Sequence, residues 1–287
     1  MARKSGKERV TLTGTEVSQQ NAEKALPILV RQAQAGQKIT YEDLAGELNS
    51  PTARLGRTLG IIGFALKKLS KVWKEEIPPI QALVINKNTG ISGRGIGYFI
   101  HKRYTEGTTA VRRQIVDEMD LYGKIFSYEK WPLVLKELGL KPVDALSVAV
   151  KETAHKGNER GYGSGGESKE HKELKERIAK HPELVKLKGF GKGETEHIFP
   201  SMDTIDVYFS NKKKVVGVEV KSIKSNDDDI TRGLFQCKKY EALIEAEDKI
   251  EGIRRDIKVI LALGGEFPSG LRPNRNVLSV NVIDNIR

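Results

Sequence analysis

The sequence predicts an α/β chain of the α+β kind, with a mainly helical first domain and a second domain ordered helix, three strands, helix, strand, strand. Three observations predict it. Apolar residues recur at helical spacing through residues 21–74 and again through 109–138. Alternating, β-rich runs dominate between residues 195 and 283. Between these regions, residues 154–166 read AHKGNERGYGSGG, with five glycines and no aliphatic cluster, the composition of a flexible linker. The expected organisation is a flexible basic arm over 1–20, a helical domain over 21–153, the linker over 154–166 and the second domain over 167–287.

In the first domain, residues 21–34 read as a helix, with Ala22, Ala25, Leu26, Leu29, Val30 and Ala33 at helical spacing and Gly36 ending it. Thr40 is a natural cap for a short second helix, with Asp43 three residues on and Leu44, Ala45 and Leu48 on one side. Ser50-Pro51 opens a third helix to about residue 74, turning Leu55, Leu59, Ile62, Leu66 and Leu69 inward. After Pro78-Pro79, two strand-like pieces over 81–86 and 95–99 read as a hairpin. Helices follow over 109–121 and 131–138, with Trp131 and Phe126 as core packing.

In the second domain, residues 167–181 read as a helix ended by Pro182, and residues 195–199 as a first strand. Residues 203–224, DTIDVYFSNKKKVVGVEVKSIK, place two β-rich runs around a polar, lysine-rich turn. With the turn centred between Lys212 and Lys213, Asp206 lies opposite Glu219. Lys221 shares the face of Glu219, while Ile205, Val207, Phe209, Val218 and Val220 go to the other face. Like charges opposed on a sheet destabilise it unless something offsets them. A divalent cation with hard oxygen ligands does so, and Mg²⁺ takes one or two carboxylates with water and phosphate. The other reading is a salt-bridged surface hairpin. Lys212, Lys213 and Lys214 sit at the tip, away from the carboxylates. Asp227, Asp228 or Asp229 can cap a helix over 230–247, on which Arg232, Gln236 and Tyr240 recur every four residues. Residues 257–263 and 277–283 read as two further strands.

The net charge of +11 favours a polyanionic partner, nucleic acid foremost. A single cysteine, Cys237, excludes an intramolecular disulfide and a cysteine-rich zinc site; it fits a reducing cytoplasm and reads as core. The five histidines are scattered, without HExxH. No apolar run approaches the ~20 residues of a membrane span, and the N-terminus lacks the apolar stretch of a secretory signal.

Three helices and a hairpin over roughly residues 20–100, with the ITYEDLA entry to the second helix, resemble a winged helix. The resemblance implies a third helix in the major groove and a wing along the backbone. Arg54, Arg57, Lys67, Lys68 and Lys71 would then meet DNA from the helix, and Lys87 and Arg94 from the wing. The alternative is a solvated charged face used for protein contact.

Residues 167–283 resemble the PD-(D/E)xK, or restriction endonuclease-like, nuclease superfamily. The carrying residues are Asp206, the Glu219-Val220-Lys221 run as ExK, and Gln236 with Tyr240, similar to the QxxxY element of the branch related to the RecB nuclease domain. The usual Pro-Asp is here Ile205-Asp206. The likeness implies a Mg²⁺- or Mn²⁺-dependent DNA endonuclease of restriction or anti-phage defence, with a homodimer as the cutting form. Asp206 and Glu219 would bind metal, with the Val220 carbonyl as a further ligand. Lys221 would position water or offset charge, Gln236 would hold the site, and Tyr240 would pack or contact phosphate. A first-helix acid is also implied: Glu170 is favoured, with Glu167 close behind and Glu173 and Glu176 nearby. His171 reads as a packed helix histidine, with a place near the metal as the other reading. The competing functions are an inactive nuclease-like DNA-binding protein and an RNA nuclease.

Overall fold

The computed structural model describes residues 12, 14–144 and 168–287. The chain divides into two compact units, Met1–Ala145 and Leu146–Arg287. The expected linker lies outside the described residues.

The first unit packs helices around one core. Helix α1 (Val17–Gln34) begins four residues before the expected start, and Leu12, within the expected basic arm, is buried in the core. Strand β1 (Ile39–Thr40) leads into α2 (Tyr41–Leu48). The Thr40 hydroxyl accepts from Asp43 N at 3.1 Å and donates to the Asp43 carboxylate at 2.8 Å, which satisfies one orphan donor of the first turn. Asn49, left-handed at φ 48°, ends α2. In α3 (Leu55–Trp73) the expected residues Leu55, Leu59, Ile62, Leu66 and Leu69 are all buried.

The hairpin expected over 81–99 does not form. Residues 80–83 make a 3₁₀ turn, followed by the two-residue strand β2 (Val84–Ile85), which pairs in parallel with β1. Residues 94–98 make a second 3₁₀ turn. The reason is burial: every residue from Ile80 to Val84 is inside the core, where a hairpin with a solvated face would alternate. Short helices α4 (Lys102–Glu106), α5 (Thr109–Glu118), α6 (Leu121–Phe126) and α7 (Trp131–Glu137) complete the unit. Buried Trp131 donates its indole N–H to the Ile125 carbonyl at 2.8 Å.

The second unit is a five-stranded mixed sheet with helices on both faces. Helix α8 (Lys169–Lys180) is capped by Ser168. Strands β3 (Glu194–Ile198), β4 (Thr204–Ser210), β5 (Lys214–Lys221), β6 (Asp256–Leu263) and β7 (Asn281–Ile283) lie in sequence order across the sheet. The first three are antiparallel, and β5, β6 and β7 are parallel. The β5–β6 crossover is α9 (Asp227–Glu251). Its cap is Asn226, one residue before the three aspartates, which instead occupy the first turn where carboxylates suit the helix dipole. Residues expected to begin the last strand belong to α10 (Arg272–Leu278), started by Pro273 in its first turn.

The hairpin register is the expected one. Val207 pairs with Val218 and Ser210 with Val215, which centres the turn between Lys212 and Lys213. The Asn211 side chain closes that turn by accepting from Lys213 N and Lys214 N. One facing expectation fails. Val207, Phe209, Val218 and Val220 pack with Leu174 and Ile178 of α8, but Ile205 joins the opposite core, with Leu234 and Ile244 of α9. The ladder locates it. Thr195↔Val207 and His197↔Ile205 keep one register with no residue inserted, and between them lie Asp206 and Glu196, the latter left-handed at φ 56°, where the facing of β4 changes.

Candidate active site

The broken alternation sets the direction of Asp206. Its Oδ2 accepts from the Val220 backbone N–H at 2.7 Å, and its Oδ1 lies 3.2 Å from His171 Nε2 of α8. Two different elements therefore fix both oxygens of one carboxylate. Val220 meets Asp206 through its amide, and its side chain is in the α8-side core.

Glu219 sits near the end of β5 and is only 4% exposed. Lys221 Nζ lies 2.7 Å from its Oε1 and 3.2 Å from Gln236 Oε1 on α9. The lysine stem crosses α9 at Gly233, where an added Cβ would come within 3.1 Å of Lys221 Cε and 2.7 Å of Leu261 Cδ1. Glycine is what leaves this stem its path. Burial pushes the Glu219 carboxyl well above the ordinary range, and the Asp206 charge pushes it the same way, while Lys221 opposes both.

Asp206, Glu219, Lys221 and Gln236 thus converge from β4, β5 and α9, and His171 joins them from α8. Its place is beside Asp206 rather than in plain core packing. Lys175 and Glu196 are a further pair near Asp206. Lys175, buried in α8, reaches Glu196 Oε1 at 2.8 Å. That hydrogen bond holds the Glu196 carboxyl below its usual range, with Asp206 opposing. Nothing in the composition marks Glu196, because its position follows from the left-handed turn in β3.

The other expected site residues lie elsewhere. Glu170 is held by Lys224, 2.5 Å away, which lowers its carboxyl pKa. Glu173 and Glu176 are exposed and pair with Lys169 and Lys180 on their own helix. Glu167 is outside the described residues. Of the two roles expected for Tyr240, packing is the one seen: it is buried, its ring stacks on Phe199, and its hydroxyl donates to the Thr204 carbonyl at 2.6 Å. A buried ring with its hydroxyl so used packs the site and is not placed to grip phosphate. Cys237 is buried in the α9-side core.

In the first unit, Arg54, Arg57, Lys67, Lys68 and Lys71 are exposed on or just before α3, and Arg57 pairs with Glu16 at 2.7 Å. Lys87 is exposed in the turn after β2, and Arg94 lies on a 3₁₀ turn, donating to the Thr105 carbonyl at 2.6 Å. These two are therefore not on a wing.

Among the described residues, no three His, Cys, Asp or Glu side chains form a group that could hold a metal ion. The donor set at Asp206 and Glu219 is two carboxylates, which suits Mg²⁺ or Mn²⁺ completed by water and phosphate and does not suit zinc. No described helix is long and apolar enough to cross a membrane. Comparison with family models, curated proteins and solved structures gives no match.

Proposed function

We propose that the second unit is a metal-dependent DNA endonuclease built on a restriction endonuclease-like core. The observation that carries this reading is the convergence of Asp206, Glu219, Lys221 and Gln236 at the end of β5. The element order, a helix, three antiparallel strands, a crossover helix and a parallel strand, supports it.

Asp206 and Glu219 would hold Mg²⁺ or Mn²⁺, with the Val220 carbonyl as a further oxygen. When bound, the ion supplies charge for the phosphoryl transition state and lowers the pKa of a bound water. His171 and the Val220 amide keep the Asp206 carboxylate aimed. Lys221 orients the attacking water by hydrogen bonding and offsets the negative charge that grows on the phosphate oxygens. Gln236 is a positioning residue, because it touches Lys221. The net charge of +11 and the exposed Arg and Lys side chains of α3 favour DNA as the partner. Action as a homodimer, a cytoplasmic place and a role in anti-phage defence belong to the same proposal through the family resemblance.

The test is incubation of the purified chain with plasmid, linear duplex, single-stranded DNA and RNA in Mg²⁺, Mn²⁺ or EDTA, beside Lys221→Ala and Asp206→Ala. Cleavage of DNA by wild type in Mg²⁺ or Mn²⁺, lost in EDTA and in both variants, is expected. Equal cutting by wild type and variants, or DNA binding without cutting under every condition, overturns the reading.

A further inference from the structure

The first unit holds a cavity of about 130 Å³ between α2, α3 and the two 3₁₀ turns. Tyr41, Gly56, Gly60, Gln81, Ser92 and Phe99 are among its lining residues. Gln81 is the unusual one. It is 4% exposed, and neither Nε2 nor Oε1 of its amide has a hydrogen-bond partner. A buried amide left unpaired costs about 1–3 kcal/mol, so such groups call for an account. The amide rests on the α3 backbone at Gly63, where an added Cβ would come within 2.4 Å of Gln81 Nε2 and 2.5 Å of the Phe99 ring. The glycine is needed to bring amide and ring together.

The size is informative. A cavity of roughly 150 Å³ accepts benzene, so this one suits a single flat ring. An amide offers a donor beside an acceptor, and pyrimidine bases offer the complementary pair on one edge. The surroundings point to a base that is part of a strand. Gly56, Gly60, Phe64, Lys67 and Lys71 fall on one stripe of α3, and an added Cβ at Gly56 or Gly60 would meet nothing within 4 Å. Helix α3 contains no acidic residue. Phe64 and Tyr98 are 54% and 63% exposed, their rings 5.3 Å apart, and both pack on Phe99. Lys67 Nζ lies 5.0 Å from the Tyr98 ring centre. Exposed aromatics interleaved with cations are the means by which proteins hold unpaired bases and their phosphates.

We propose that the first unit captures an unstacked pyrimidine of a DNA strand, its ring in the cavity against Phe99 and its edge on the Gln81 amide. A neighbouring base stacks on Phe64 and Tyr98, and Arg57, Lys67 and Lys71 meet the phosphates. In the structure the amide is turned to Gly63, and its side chain rotates towards the cavity when the base is held. This concerns binding by the first unit and holds whether or not the second unit cuts DNA.

The test is fluorescence anisotropy of the full chain in EDTA with labelled oligo-dT, oligo-dC and oligo-dA. At least one pyrimidine strand is expected to bind about tenfold or more tighter than oligo-dA, the size of one good base-edge contact. Purines stack better on aromatics, so stacking alone gives the opposite order. Gln81→Met, which replaces the unpaired amide by an apolar chain of similar length, is expected to abolish the pyrimidine preference, leaving oligo-dA bound at least as tightly. Equal binding of all three strands by wild type, or an undiminished preference in Gln81→Met, overturns the proposal. Tyr98→Ala, at an exposed rim position, serves if Gln81→Met does not fold. It is expected to weaken pyrimidine binding about tenfold, and unchanged affinity there also overturns the proposal.

Discussion

Lys221 reaches back along its own strand to Glu219, its ammonium 2.7 Å from a carboxylate that is almost wholly buried. A single lysine is thin support for such a charge, with Asp206 close enough to oppose it. Burial and the Asp206 charge together outweigh Lys221 at this carboxyl, so a neutral amide of the same shape removes a net penalty, and sites built for chemistry commonly sacrifice stability in this way. Glu219→Gln is therefore expected to leave the second unit as stable or more stable in EDTA, by about 1 kcal/mol or a few degrees in Tm. The same change is expected to lower cleavage at least about 100-fold. Calorimetry at pH 8 beside a plasmid assay checks both. A fall of several degrees would mean that the ion pair is net stabilising.

His171 gives the second prediction. Its ring is 3.2 Å from Asp206 Oδ1, and side chains that orient a metal-binding carboxylate typically matter by 10–100-fold. His171→Ala is expected to raise the Mg²⁺ concentration for half-maximal cleavage by about tenfold, with KM for DNA little changed. His171→Gln, which retains a hydrogen-bonding side chain, is expected to recover part of the loss. A Mg²⁺ titration of all three forms decides it. An unaltered Mg²⁺ requirement with lowered thermal stability would mean that His171 only packs.

Much of this site is legible in the sequence, because strand alternation and hairpin closure are local rules. Asn211 and the lysines mark the turn, and the turn sets the register that brings Asp206 towards Glu219. Gln236 is legible through its likeness, with Tyr240 four residues on, to the QxxxY element. The same spacing does not tell that Tyr240, one turn on, is covered by Phe199 and tied to Thr204, since that depends on what packs over it. Ile205 and Glu196 are illegible for another reason: the facing of β4 changes at Asp206, opposite a left-handed residue of β3, and glutamate carries no signal for that conformation. The hairpin expected over 81–99 fails because residues 80–84 are all interior, and an apolar run alone does not separate a strand from a buried turn.

Tyr240 supplies the third prediction. Its hydroxyl donates to the Thr204 carbonyl at 2.6 Å, two residues before Asp206. Tyr240→Phe keeps the stacking on Phe199 and leaves that carbonyl without this donor. A loss of about 1–2 kcal/mol is expected, read as a lower urea midpoint. DNA affinity is expected to stay within about twofold, since the ring is buried and the hydroxyl proton is given to Thr204. A tenfold drop in affinity at unchanged stability would return Tyr240 to the DNA surface.

The last prediction concerns pH. Asp248 is buried near the end of α9, and both its oxygens accept from Arg255 Nε, at 2.9 and 3.1 Å. Arg255 also donates to the Ser210 hydroxyl at 3.0 Å, so the pair ties the helix end to the end of β4. The Arg255 hydrogen bond holds the Asp248 carboxyl below its ordinary value, with burial opposing. A carboxyl lowered in the folded state contributes its stability above the unfolded value of about 3.9. That contribution fades as pH falls from there through the folded value. Asp248→Asn is expected to cost about 2 kcal/mol at pH 7, in line with hydrogen bonds to charged groups. The cost is expected to be the same at pH 6 and to shrink as pH falls below about 4, where wild type takes up the proton that asparagine lacks. Urea unfolding of both proteins at pH 7, 6, 4 and 3 measures the gap directly. A gap of equal size at pH 3 would show that shape rather than charge holds this helix end.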